Sequence, residues 1–224
     1  MTTKAMSNPQ AAGRRMKKGG AQILRFRTNV RSYNYKEGIA IRCIDAGDFH
    51  LKAGNAIAAV SMYRRALMLF PGHRVARTNL GVALSLVGRP DAAASVLRGV
   101  LRDFPQDAAA SCALATAYIC QERFAEAARS AAAALGKDRF MADAWKNLAI
   151  ALRGCGNVPG AKLAILESAK LAPSRGDIWG EMGSLLIEAG EKQLAMQCLK
   201  RARLLGWGDP AVERLIAAGE SEPA

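Results

Sequence analysis

The residues of this chain best suited to metal ligation or nucleophilic attack are two histidines and five cysteines. Their spacing supports neither chemistry. Cys43, Cys112, Cys120, Cys155 and Cys198 contain no C-x-x-C pair, and His50 and His73 lie near none of the last four. A zinc site needs closely spaced donors, and a nucleophile needs a base within hydrogen-bond reach. No HExxH, glycine-rich phosphate loop or Ser/His/Asp arrangement is visible. Cys112 and Cys120 lie about 80° apart around one helix and read as small buried residues. An odd cysteine count without ligand spacing reads as reduced thiols in a cytosolic setting. The expectation is a non-catalytic protein with no metal, cofactor or small-molecule substrate.

Charge offers a different chemistry. The net charge is +13 and the pI is near 10.0. Residues 1–39 hold nine Lys/Arg against Glu37 alone, a large share of the imbalance in a short segment. Arg14, Arg15, Lys17, Lys18, Arg25, Arg27 and Arg31 could contact anionic lipid or nucleic acid. Ile23, Phe26, Val30 and Tyr33 fall at helical spacing among the last of these. A helix docked on the body of the protein, or a solvated tail, fits the same residues. The stretch lacks an apolar signal-peptide core, and Gly19-Gly20 argues against an amphipathic transit peptide. No apolar run reaches the roughly 18 residues of a transmembrane helix.

The elements that must position any site show themselves as a period. Ala59, Ala93, Ala127, Ala161 and Ala195 are each 34 residues apart. Gly47, Gly81, Ala115, Ala149 and Gly183 precede them by 12. Such a period signals stacked structural repeats. The blocks are 40–73, 74–107, 108–141, 142–175 and 176–209. Each divides into two helical stretches, breaking at Gly54-Asn55, Gly88-Arg89, Gln121-Glu122, Gly156-Asn157 and Gly190-Glu191. Glycine there suits the left-handed residue that ends a helix. Pro90 and Pro159 suit the first turn of the next. Pro71, Pro105 and Pro173 end the second helices. The small residue at position 20 of each block is expected to face position 8, with position 24 filling the gap to the next block.

This pattern resembles the tetratricopeptide repeat family over residues 40–209. Trp145, Leu148, Ala149 and Leu152, and then Trp179, Met182, Gly183 and Leu186, match the first-helix motif. The alanine column and the closing prolines match the second. The resemblance implies an all-α solenoid of paired antiparallel helices, a right-handed superhelix with first helices lining a concave groove. It makes His50 a core position. Arg139 and Glu122 depart from the motif, so block three is expected to be the least tightly packed. Residues 1–36 read as a tail, 37–209 as the repeats and 210–224 as a short cap with a frayed end.

Positions 2, 5, 9 and 12 of each first helix share one stripe, predicted to face the groove. It reads Ile41, Ile44, Asp48, Leu51; Val75, Thr78, Val82, Ser85; Ala109, Cys112, Thr116, Ile119; Asp143, Lys146, Ile150, Arg153; and Asp177, Gly180, Ser184, Ile187. A Lys–Asn–Arg clamp for peptide carboxylates, used by some family members, is missing: Ile150 follows Lys146, and Glu181 stands in an asparagine position. The expectation is an adaptor that holds a segment of a partner protein. Val75, Thr78, Val82, Cys112, Thr116 and Ile119 form its floor, and Asp143, Lys146 and Arg153 orient the ligand. In style the chain resembles bacterial stand-alone repeat proteins of assembly or secretion complexes. The alternative is an accessory protein held at an anionic membrane, peripheral to the inner membrane, or on nucleic acid, by residues 1–36.

Overall fold

Helix follows helix, without a strand, through every residue that the computed structural model describes, 35–208. α1 covers residues 35–52. It is followed by α2 (Ala56–Leu69), α3 (Arg74–Leu86), α4 (Pro90–Asp103), α5 (Ala108–Ile119) and α6 (Phe124–Lys137). α7 (Ala142–Gly154), α8 (Val158–Leu171), α9 (Gly176–Glu188) and α10 (Lys192–Leu204) complete the described chain. The starts of α3, α5, α7 and α9 are 34 residues apart, as are those of α2, α4, α6, α8 and α10. The arrangement is an all-α repeat solenoid.

Local chemistry sets the boundaries. Asn55, Asp107 and Asn157 accept a hydrogen bond from the third residue onward, so each satisfies an orphan amide at a helix start. His73 does the same for α3 through Nδ1, a capping role that its sequence position did not suggest. The breaks within repeats turn on a left-handed residue, and four of the five are glycine. Glu122 takes that conformation in repeat three at φ 58°, which costs about 1 kcal/mol more for a side chain than for glycine.

Packing follows the alanine and glycine columns, with one addition. A Cβ added to Gly81 would sit 2.5 Å from Leu97 Cγ, and one on Gly47 would meet the Tyr63 ring at the same distance. Leu199 covers Gly183 in the same way. The side chain at position 24 therefore lies on the bare position 8, and position 20 stands beside it in repeat five, where Ala195 O is 3.3 Å from a Cβ placed on Gly183. The large side chain needs the whole space that the missing Cβ leaves. In repeat three both partners are alanine, Ala115 and Ala131, and both are fully buried.

Repeat three is not uniformly loose. Eight of the twelve residues of α5 are buried, whereas α6 buries only Ala127, Ala131 and Ala134. The slack falls outside, in a cleft of about 480 Å³ bordered by Arg98, Leu114, Tyr118, Arg129 and Lys137. His50, expected in the core, is half-buried and stands edge-on to Phe49. The amino-terminal half of α9 is covered by Trp207, whose ring lies over Gly180. The tail positions Arg14 to Arg31 and the cap at 210–224 lie outside the described residues.

Candidate partner-binding groove

Successive first helices touch one another from α3 to α9, whereas each second helix packs mainly on the first helices of its own and the next repeat. The row that packs against itself lies on the inside of the curve. Its residues therefore divide between seams and open surface, and the predicted stripe divides with them.

Position 5 mostly faces seams, as does Ser85 at position 12. Ile44, Thr78, Ser85 and Cys112 are all under 9% exposed, so they support the groove rather than touch a ligand. This corrects their expected role as contacts: they are buried among the stacked helices. The Cys112 thiol is pushed up to about 11, by burial first and the Asp143 charge second, and so stays protonated. Ser85 and Thr78 turn their hydroxyls onto carbonyls of their own helix.

The polar members of the stripe bind neighbouring repeats. Asn79 donates to Asp48 Oδ1 at 2.9 Å across α1 and α3, and the Tyr63 hydroxyl donates to the same atom at 2.6 Å. Burial and then this carboxylate push the Tyr63 phenol upward. Asn147 donates to Thr116 Oγ1 at 2.9 Å and to the Cys112 carbonyl at 3.2 Å across α5 and α7. Lys146 donates to Asp177 at 2.6 Å across α7 and α9. Arg175 bridges Asp143 and Asp177, both at 2.7 Å. Arg153 pairs with Glu181 at 2.8 Å. Burial opposes the charge on Asp177, but Arg175 and Lys146 overcome it and hold the carboxyl down to about 2. Glu181 is more buried, and burial moves its carboxyl upward despite Arg153. The expected orienters Asp143, Lys146 and Arg153 thus already have partners within the fold.

What remains open is narrower than the predicted stripe. Position 2 is exposed at Ile41, Val75, Ala109 and Asp143. Position 9 is half-exposed at Val82, Thr116, Ile150 and Ser184, and Ile119 and Leu51 add partly covered apolar edges. From Val75 to Ile119 the accessible inner residues of this stripe are uncharged. Leu86, beside them at the end of α3, is 63% exposed and was not anticipated. Asn79 and Asn147 were also missed. They stand two periods apart at the same repeat position, a signal the sequence carried. Among the described residues no cluster could hold a metal ion, and no helix is long and apolar enough to cross a membrane.

Comparison with known proteins agrees with this geometry. Two family models, each described as tetratricopeptide repeat, match residues 50–117 and 112–175. No curated protein matches the chain. Among solved structures, TTC0263, a thermophilic TPR protein of Thermus thermophilus, superposes with a TM-score of 0.74 at 16% identity. The match covers 81% of this chain and 98% of that one. PilF of Pseudomonas aeruginosa gives 0.67 at 21% identity, covering 83% and 86%. The APC/C hetero-tetramer Cut9–Hcn1 gives 0.73 at 14% identity, covering 80% of this chain and 36% of that one. At these identities the likeness is one of fold.

Proposed function

The chain belongs to the tetratricopeptide repeat family, and from that premise we propose that it is a non-catalytic adaptor holding a partner segment in its inner groove. The fold suits protein–protein interaction. The observation that carries the finer reading is the uncharged run from Val75 through Val82 to Ile119 on the inner face. An extended or helical segment with two or three apolar side chains would bury them there. Charges farther along are neutralised within the solenoid, so they set a boundary and do not attract a charged ligand. Complex formation by a neighbour of this fold, Cut9–Hcn1, supports the adaptor reading. The alanine- and arginine-rich style of the repeats supports a place in a bacterial assembly-type complex.

The test is a displayed peptide library selected in parallel on the native protein and on Val82→Glu. Circular dichroism confirms that the variant is folded. The native protein is expected to enrich segments with spaced apolar anchors, and the variant to lose them by at least about tenfold, since a carboxylate would have to be buried unpaired. Equal enrichment by both would move the site off the inner face.

A second reading rests on the nine Lys/Arg of residues 1–39. They would tether the adaptor to an anionic membrane or nucleic acid, with binding that weakens steeply as salt is raised.

A further inference from the structure

The two rows of helices differ in charge. The five first helices carry seven Lys/Arg against seven Asp/Glu. The five second helices carry twelve against four. The net positive charge of the helices is therefore on the outer row. Its carboxylates are largely engaged: Asp103 by Arg77 and Arg102, Glu126 by Arg123, and Glu167 by Lys170. Arg64, Arg65, Arg98 and Arg129 are exposed, and none of them forms an ion pair among the described residues. Two of these, Arg98 and Arg129, border the cleft beside α6. There Lys137 donates to the Ser111 hydroxyl at 2.7 Å and forms no ion pair among the described residues.

The same outer row exposes large aliphatic side chains. Ile57 is 74% exposed, Met68 77%, Leu163 69% and Leu204 85%. No aromatic side chain of the described second helices is exposed. Binding of single-stranded nucleic acid without sequence preference relies on aromatic stacking, which the second helices do not offer. Aliphatic side chains among arginines match a bilayer surface instead. The chains enter the headgroup boundary while guanidinium groups meet lipid phosphates.

We propose that the outer row of second helices docks on an anionic phospholipid surface, leaving the inner groove facing away and open. This does not depend on what the groove holds.

The full chain carries a basic tail that would itself bind such vesicles, so the test must report on the outer face. A tryptophan at Leu163 (Leu163→Trp) reads the outer row and one at Val75 (Val75→Trp) the inner row, each against the native background. With vesicles of phosphatidylcholine and phosphatidylglycerol carrying brominated acyl chains, the Leu163→Trp signal should shift blue and be quenched. The Val75→Trp signal should not change. Equal response at both positions, or capture with no response at Leu163→Trp, overturns the proposal. The combined reversal Arg64→Glu, Arg65→Glu, Arg98→Glu and Arg129→Glu should lower partitioning by roughly tenfold or more. The equal charge change at Arg14, Arg15, Lys17 and Lys18 should lower it less. The reverse ranking overturns the proposal, as does an outer row that binds a single-stranded oligonucleotide in preference to the vesicles. Pure phosphatidylcholine should capture little.

Discussion

The α5–α7 and α7–α9 seams lie one repeat apart and join residues at the same offset along the chain, 31 positions. One is neutral: Asn147, buried, donates to Thr116 and to a carbonyl. The other is ionic: Lys146 and Arg175 converge on Asp177, all partly open to solvent. Depth explains the difference. A charge as buried as Asn147 would carry a desolvation cost that a single partner rarely recovers, while an amide needs only its hydrogen bonds. At the half-exposed seam an ion pair is tolerable, and several charges in a network hold better than one isolated pair.

Three measurements probe that contrast. Asn147→Leu should cost most, about 1–3 kcal/mol, because it removes the hydrogen bonds of a buried amide to Thr116 Oγ1 and the Cys112 carbonyl and sets an apolar side chain against them. A lowered melting temperature with faster amide exchange in α5 and α7 is the expected result. No change would mean that burial, not the hydrogen bonds, holds this seam. Acid should act next. Asp177 is held at about 2 against an ordinary 3.8, so its contribution is present above the ordinary value and lost as pH falls toward 2. After solvent screening the loss is about 1 kcal/mol. Glu181, displaced upward, works in the opposite sense and partly offsets it. Thermal melts from pH 5 to pH 2 on the native protein and Asp177→Asn should show a steeper decline in the native chain, because Asp103 and Glu126, also held down by arginines, titrate in both. The smallest effect belongs to Lys146→Met, about 0.5 kcal/mol at low ionic strength. The gap from the native protein should shrink in high salt, since only an electrostatic contribution is screened. A gap independent of salt would assign the loss to packing of the lysine stem.

Particular residues show how far the chain could be read in advance. Ala59, Ala93, Ala127, Ala161 and Ala195 are all fully buried, as their column implies. The period alone could not say which large residue would lie on each small one, because positions 20 and 24 share a helix face. Leu97 over Gly81 decided it. Ser85 and Cys112 looked like groove contacts because a helical stripe identifies a face, not what stands opposite it. Both are buried among the stacked helices. Asp143, Lys146 and Arg153 looked like ligand-orienting charges because their partners Asp177, Arg175 and Glu181 lie about one repeat further along the chain.

The sequence by itself determined the period, the helix pairs, their breaks and the resemblance to a repeat family. These depend on local propensity and on small residues recurring at one spacing. The tertiary structure decided which stripe positions remain accessible, which charges neutralise one another, and that the surplus cations belong to the outer row. Those outcomes depend on how one repeat stacks on the next, a geometry that no single repeat contains.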